Sequence, residues 1–445
     1  MPRARYKQVV DNFAGQIRSG ELRPGDRLPT HRQLAREHRL ALATASRVYA
    51  ELEAMGLVSG ETGRGTFVRE ISLPPGLGVD QRAAANDIVD LNFNYPSLPG
   101  QAELLRTALR RLSTSGDLDA LLRYQPHGGR MREREMVTEH LASRGLQVDP
   151  SNLLLVDGAQ HGLTTTLMAL LKTGDVVAVD SLTYPGIKVL ADSLGLELAP
   201  VPADGSGPDL NALELLCRHR RVRAVYTQPT MHNPLGWVMD IERRNTLVRL
   251  ARQHGLVIIE DAPYAFLEPQ SPPPLAALAP ERTVYVSGFS KSVATGLRVG
   301  FVAAPEGWTP RIERAIRATT WNTPGVMTAI ACGWIEDGTV TRLESAKRED
   351  AIDRQMIASE ALQGTGYVAH PASYFLWLPL PEEVRADGVV RELLDHRILV
   401  STAEPFATSV QVPHAIRIAL GSVDLDILRH SLTTVRNVVE YHSYG

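Results

Sequence analysis

The sequence predicts a multidomain protein: a small N-terminal α+β head of the winged helix-turn-helix kind, then an α/β body on a mostly parallel sheet. Three observations predict it. Over the first 70 residues, three amphipathic segments at helical spacing precede two short strands around a glycine-rich tip. Between about residues 150 and 290, short apolar strands alternate with helical segments, the pattern of a parallel sheet covered on both faces. A chain of 445 residues is also too long for one core and asks for two or three domains.

Composition bounds the setting. Two cysteines, Cys217 and Cys332, make neither a disulfide framework nor a metal cluster, which points to a reducing compartment. The N-terminus is charged and amphipathic from Arg3, unlike a signal peptide, and no apolar run reaches membrane-spanning length. A cytoplasmic protein with no membrane partner and no metal is expected. Residues 1–70 carry 12 Lys/Arg against 8 Asp/Glu, while the remainder carries 35 against 42. A basic head on an acidic body suggests a polyanion partner for the head.

Within the head, Tyr6 to Ser19 places Val9, Val10, Phe13 and Ile17 on one helical face. The turn-rich Leu22-Arg-Pro-Gly-Asp-Arg-Leu-Pro29 follows. Thr30 can cap a second helix, His31 to His38, with Gln33 in capping-box position. A third helix, Leu42 to Met55, closes at Gly56, and Leu57 to Val68 reads as two strands about a tip holding Arg64. In such a module the third helix enters the major groove and the wing touches the backbone. Arg27, Arg32, Arg36, Arg47 and Arg64 cluster where phosphates would lie, which favours DNA binding over a plain packing module.

Leu22 to Ala35, Tyr49-Ala-Glu-Leu-Glu-Ala-Met-Gly-Leu-Val58 and Gly63-Arg-Gly-Thr-Phe-Val68 resemble the GntR-type DNA-binding domain across nearly its whole length. The resemblance implies that Arg32, Thr44, Arg47 and Gly65 lie at the DNA surface. Ala41 and Leu42 stand where that family often has Ser-Arg, which removes the usual serine cap and arginine contact. Residues 71–88, rich in Pro, Gly and small side chains, read as a tether, with a short helix possible at Gln81 to Asn86.

In the body, strands are expected at Leu153–Val156, Val176–Val179, Ala224–Thr227, Leu256–Ile259 and Thr283–Val286. Helices are expected at His161–Leu171, Gly186–Leu194 and Ile241–His254. Ligands of such sheets sit at the carboxyl ends of the strands, where the polar residues of this chain gather. After the first strand comes Gly158, then a helix whose free N–H groups can cradle phosphate. After the third, Asn233 stands in a Pro-flanked turn. Asp261 ends the fourth strand and Tyr264 lies three residues on. After the fifth, Lys291 sits in a Ser/Gly-rich turn with Arg298 seven residues later.

Each of these residues alone would pass for a turn residue, a cap or filler. Lysine is scarce here, with five (Lys7, Lys172, Lys188, Lys291, Lys347) among 47 Lys+Arg, so one in a small-residue loop suggests amine chemistry. A partly desolvated amine beside a cation sheds its proton more readily and can attack a carbonyl. An acid, an amide, a phenol, a lysine, an arginine and a phosphate cradle together match the needs of pyridoxal phosphate (PLP). Its ring nitrogen must be held protonated, its ring oxygen needs donors and its phosphate needs amides and a cation.

From about Leu91 onward the chain resembles fold type I aminotransferases: a large domain on a mostly parallel sheet and a smaller C-terminal α+β domain. The matching stretches are Tyr124-Gln-Pro-His-Gly-Gly129 with Arg134, Gly158-Ala-Gln160, Tyr184-Pro-Gly, His232-Asn-Pro-Leu-Gly236, Glu260-Asp-Ala-Pro-Tyr264, Ser290-Lys291, Gly296-Leu-Arg298 and Ile416-Arg-Ile418. The resemblance makes Lys291 the Schiff-base lysine, Asp261 the partner of the pyridine nitrogen and Tyr184 the ring stacked on the cofactor. Asn233 and Tyr264 become donors to the ring oxygen. Gly158, Ala159, Gln160, Ser290 and Arg298 become the phosphate site, reached by Tyr124 from a neighbouring subunit, and Arg417 the grip on an α-carboxylate. Lys291, Asp261 and Tyr264 are then the chemically active set. Ala159 and Gly288 stand where hydroxyl residues are usual, so weaker phosphate binding is expected.

A GntR-type head on an aminotransferase-like body is the pattern of the MocR subfamily of transcription regulators. It implies a head-to-tail homodimer that binds double-stranded operator DNA and carries PLP as an internal aldimine. An amino-group effector, or PLP itself, would then bias head placement. Boundaries of 1–70 for the head, 71–88 for the tether and 89–445 for the body follow, with subdomains of about 125–325 and 326–445. The alternative is a working α-amino-acid aminotransferase with an accessory head. A nucleotide-binding reading fails because no Gly-x-Gly-x-x-Gly follows the first strand.

Overall fold

The computed structural model describes residues 2–18, 21–22, 26–55, 57–61, 65–68, 88–114, 118–381, 384–409 and 412–444. Nearly all of the tether, the possible helix at 81–86 and the wing-tip Arg64 lie outside the described residues.

The head is built as its pattern requires. Helices α1 (Pro2–Arg18), α2 (His31–Glu37) and α3 (Leu42–Ala54) precede an antiparallel hairpin of β1 (Val58–Glu61) and β2 (Gly65–Val68). α2 begins where Thr30 and Gln33 cap each other reciprocally, with the Gln33 N–H donating to the Thr30 hydroxyl and the Thr30 N–H to Gln33 Oε1. α3 begins at Ala41 with no side-chain cap, as its sequence requires. Val10, Leu34, Val48, Leu52 and Val58 are fully buried and form the shared core of the three helices and the hairpin.

The body carries seven further strands in one sheet: β4 (Leu153–Val156), β5 (Val176–Asp180), β6 (Glu197–Val201), β7 (Val222–Thr227), β8 (Val257–Asp261), β9 (Thr283–Gly288) and β10 (Gly300–Ala303). One more short strand, β3 (Val89–Asp90), precedes them. The sheet order is β4-β10-β9-β8-β7-β5-β6, with β10 antiparallel to both neighbours and the other pairings parallel. The strands expected from sequence are all present. β6 and β10 are additions, one an edge strand that exposes Glu197 and Pro200, the other four residues shortly after the lysine loop. Because β10 is antiparallel to both β4 and β9, those two run the same way. The carboxyl ends of β4, β5, β7, β8 and β9 therefore face one side.

The C-terminal part has a second sheet of β11 (Phe375–Pro379), β14 (Ala415–Ala419) and β13 (Ser401–Thr402) in that order, while β12 (Ile398–Leu399) pairs in parallel with β3. Its core includes Leu91, Leu376, Ile416, Ile418, Leu428 and Leu432, so the start of the body packs with its end. The segment after β3 thereby crosses from the small sheet to the edge of the large one. Among the described residues, no helix is long and apolar enough to cross a membrane, and no cluster of His, Cys, Asp and Glu could hold a metal ion.

Candidate functional site

A cavity of about 670 Å³ opens at the carboxyl edge of the large sheet. Its lining includes Ala159, Gln160, Tyr184, Asn233, Asp261, Tyr264, Ser290, Lys291, Arg298 and Arg417. Nine of the eleven residues expected to hold the cofactor thus meet in one place, together with Arg417, the expected grip on a carboxylate. Gly158 lies directly behind them: its φ is +81°, and a Cβ there would sit 2.9–3.1 Å from the Arg298 guanidinium. The Arg298 Nη2 donates to the Asp157 carbonyl at 2.9 Å, which ties the turn after β4 to the turn after β9. The helix Ala159–Leu170 starts at this turn, so its first N–H groups and Arg298 form one cationic corner.

Asp261 occupies the far end. It is 1 % exposed, and burial pushes its carboxyl up to about 6 against the opposing hydrogen bonds from Tyr226 and Gln228. Both donors, Tyr226 Oη and Gln228 Nε2, reach the same oxygen, Oδ2, at 2.7 Å each. Gln228 Oε1 also accepts the Asn233 N–H at 3.0 Å. Burial first, and then the Asp261 charge, push the Tyr184 phenol up, so that ring stays neutral.

Lys291 lies on a one-turn helix, Phe289–Ser292, rather than in the open turn expected from its Ser/Gly-rich surroundings. Three residues ahead of it, Gly288 pairs with Gly300 across β9 and β10. A Cβ on Gly288 would lie 2.8 Å from Gly300 Cα and 2.9 Å from the Val299 carbonyl, which accounts for glycine where a hydroxyl residue was expected. Lys291 Nζ donates to the Asn94 carbonyl at 2.7 Å and stands 5.9 Å from the centre of the Tyr264 ring. The Asn94 Nδ2 donates to the Tyr264 hydroxyl at 3.4 Å.

Arg417 forms the remaining wall. It lies between Phe375 and Phe406, 5.2 and 5.7 Å from their ring centres, and donates to the Asn92 carbonyl at 2.7 Å. Burial lowers its guanidinium to about 10. Tyr124 is the exception among the expected residues. It is 83 % exposed, lies outside the cavity lining and packs against Trp321 at 5.4 Å between rings.

The residues present fit PLP by an observation independent of motif. Gln160 Oε1, Asn233 Oδ1, Asp261 Oδ1, Ser290 Oγ and Arg417 Nε are buried with no hydrogen-bond partner among the described residues, and all five residues line the cavity. Buried polar atoms are rarely left unsatisfied without a functional reason. Asp261 Oδ1 is an acceptor suited to a cationic ring nitrogen, Ser290 Oγ and Arg417 Nε are donors suited to anionic oxygens, and the Lys291 amine lines the same cavity.

Sequence reasoning missed Asn94, Tyr226, Gln228 and Phe406. Gln228 could have been found, since it directly follows a strand whose end was already suspect. Asn94 and Phe406 reach the cavity through long-range folding that carries no local signal.

On the head, Arg32 is exposed on α2, Thr44 is half-buried on α3 and Arg47 projects from α3 with its side chain 62 % exposed. Arg47 stands 4.8 Å from the Tyr6 ring centre and 3.9 Å from Glu51, and Gly65 opens β2 opposite Glu61. Arg385, from the C-terminal part of the body, pairs with Asp11 of α1 at 2.8 Å and with Glu51 of α3 at 3.5 Å. A second cavity of about 840 Å³ lies at this junction, lined by Asp11, Lys188, Arg385, Glu404 and His414 among others. The strip Thr402–Ala407 separates the two cavities: Phe406 lines the first, and Thr402, Ala403, Glu404 and Ala407 line the second.

Comparison with known proteins matches residues 86–433 to the family described as aminotransferase class I and II, and residues 5–68 to bacterial regulatory proteins of the gntR family. The chain is 26% identical to the uncharacterized HTH-type transcriptional regulator YdeF of Bacillus subtilis, over 98% of this chain and 94% of that protein. It is also 26% identical to the HTH-type pyridoxine biosynthesis transcriptional regulator PdxR of Corynebacterium glutamicum, over 97% and 95%. In the crystal structure of Pyrococcus horikoshii kynurenine aminotransferase the fold recurs with a TM-score of 0.75 at 23% identity, covering 81% of this chain and 93% of that one.

Proposed function

The chain belongs to the aminotransferase class I and II family and joins to it a gntR-type head, the MocR-type architecture of PLP-dependent transcription regulators; from this we propose that its cavity is the sensor and α3 the output. The observation that carries the reading is Arg385, a body residue ion-paired with the helix expected to enter DNA. A ligand that favours one arrangement of this junction over another changes DNA affinity by that difference, and by nothing more.

We assign PLP to the cavity, with Arg298, Ser290 and the amides at Ala159 and Gln160 holding phosphate, Asp261 Oδ1 the ring nitrogen, and Asn233 and Tyr264 the ring oxygen. When bound, PLP supplies an aldehyde that condenses reversibly with amines and a cationic ring that takes up electron density. Tyr184 would cover the ring and Asp261 would keep the ring nitrogen protonated, while the Asn94 carbonyl orients the Lys291 amine. Arg417 accepts a carboxylate without full loss of its partners, since its Nε has none among the described residues. The effector class is an amine bearing one carboxylate, or PLP alone.

The domain assignment stays at 1–70, 71–88 and 89–445. The pairing of β3 with β12 supports counting the first strand of the body with the small C-terminal subdomain. We further propose a head-to-tail homodimer in which Tyr124, exposed in the single chain beside the exposed Leu122, reaches the phosphate of the partner's site. Two heads would then ask for repeated half-sites.

The test is operator binding by purified protein, with and without PLP and a panel of amino acids, alongside visible absorbance. Salt-sensitive, sequence-specific binding that PLP or one amino acid alters is expected, and Lys291→Ala removes that response. Multiple turnover with an amino acid and a keto acid, with DNA affinity indifferent to ligand, would instead favour the aminotransferase reading.

A further inference from the structure

We infer that Gln228 is a positioning residue that sets both the charge and the aim of Asp261 and registers it against Asn233. The inference rests on the assignment of PLP to the cavity. Gln228 is 1 % exposed, directly after the last residue of β7, and both ends of its amide are used. Nε2 donates to Asp261 Oδ2 at 2.7 Å, and Oε1 accepts the Asn233 N–H at 3.0 Å. The reverse orientation of the amide would set oxygen against carboxylate and N–H against N–H, so the network admits one orientation only.

The consequence for Asp261 is asymmetry. An ionised carboxylate can accept on both oxygens. Here Tyr226 Oη and Gln228 Nε2 both serve Oδ2, while Oδ1 is buried with no partner among the described residues. The bare oxygen is the one available to a cationic N–H. The same amide accepts the backbone N–H of Asn233, whose side-chain Nδ2 is the donor assigned to the ring oxygen. One side chain thus sets the spacing between the group at the ring nitrogen and the group at the ring oxygen.

Gln228 also favours ionisation, because a hydrogen bond to the charged form opposes the effect of burial. The tyrosines facing Asp261 are Tyr184 and Tyr226, each pushed up by burial, so neither titrates near neutrality, while Tyr285 pairs in register with Glu260 and lies on the other face. Glu260 lies on the opposite face of β8, where its carboxylate accepts the Ala276 N–H, and it is common to every variant below.

The experiment measures PLP affinity of the apoprotein from pH 5.5 to 8.5 for wild type, Gln228→Met, Gln228→Glu and Tyr226→Phe. Methionine keeps the length and loses both bonds. Glutamate keeps the acceptor for Asn233 but sets a second carboxylate against Asp261. Phenylalanine removes only the other donor and guards against a Gln228 variant that does not fold. Gln228→Met should bind roughly tenfold more weakly at pH 6, with the loss shrinking toward pH 8.5 as Asp261 ionises regardless. Gln228→Glu should move the pH midpoint furthest, and Tyr226→Phe should move it in the same direction. Affinity unchanged in Gln228→Met, or lowered by one factor at every pH, would overturn the inference while leaving the PLP assignment intact. A wild type that takes up no PLP at any pH would overturn both.

Discussion

Lys347 holds Lys291 from behind: its ammonium donates to the Lys291 carbonyl at 3.1 Å. The remaining protons go to the carbonyls of Val293 at 2.6 Å and Pro96 at 2.9 Å. Lys347 is fully buried and does not line the cavity, so it touches neither ligand nor solvent. It clamps the helix of Lys291 to the segment whose Asn94 carbonyl receives the Lys291 amine.

Burial, and then the charge of Lys291, lower Lys347 to about 7 from its ordinary 10.5. Between those two values the unfolded chain binds a proton that the folded one releases, so this residue makes stability rise with pH across that window. Lys347→Met leaves three carbonyls without their donor and should cost about 1–3 kcal/mol at pH 6. Urea midpoints at pH 6 and pH 9 should show the gap to wild type widening at the higher pH.

Asp261 behaves in the opposite sense. Its carboxyl is raised to about 6 from 3.8, so its contribution to apoprotein stability is greatest in acid and is lost as pH rises through 6. PLP affinity should run the other way, falling below about pH 6 as the partner of the ring nitrogen becomes neutral. Asp261→Asn should flatten this component of the pH dependence and weaken binding roughly ten- to hundredfold at pH 8, read by absorbance titration.

Gly288→Ser should not supply a useful hydroxyl. Its Cβ would meet Gly300 Cα and the Val299 carbonyl, both backbone, in the register that joins β9 to β10. A loss of about 1–3 kcal/mol is expected, with PLP affinity no tighter than wild type. Thermal unfolding and absorbance titration check the two halves separately.

Arg32 and Arg47 should act on DNA as counterion-releasing charges. Replacing either by alanine should lower the slope of log affinity against log salt by about 0.9 for each phosphate it neutralises. Measurement on operator and random duplex at several salt concentrations tells the two roles apart. An arginine on phosphate weakens both duplexes equally when removed, whereas one reading a base edge weakens the operator alone.

Arg385→Ala should loosen the head. Single ion pairs at partly exposed positions contribute about 0.2–1 kcal/mol, so the expected change is a modest rise in hydrogen exchange along α1 rather than unfolding. High salt should mimic it in wild type and have little further effect in the variant.

Much of this was legible locally. The strands β4, β7, β8 and β9 carry apolar runs that stop at Gly158, Gln228, Asp261 and Gly288, and the chemistry sits at those stops. Thr30 and Gln33 announced α2 through a pairing three residues apart. What escaped depends on separation in the chain. Asn94 and Lys291 are 197 residues apart, and Lys347 and Pro96 are 251, so no periodicity connects them. β10 escaped because its run, Gly300 to Ala303, opens on glycine and follows the lysine turn with no long helix between, so the alternation of strand and helix that marks the others does not announce it. Gly288 was read as a missing hydroxyl because the demand for a bare backbone comes from Gly300, on the next strand over.

The strip from Thr402 to Ala407 has the ligand chamber on one side and the seam with the head on the other. Lys188 pins it from behind through the Glu404 and Ala407 carbonyls, at 3.0 and 2.6 Å, so it is a stiff partition rather than a loose flap. A guest bulky enough to push Phe406 presses on this partition and on the Trp377 and Ala415 side chains packed with it, and the far surface of the partition is the seam itself. Girth at that position is therefore a property the DNA-binding end can feel, separately from whatever charge the guest brings.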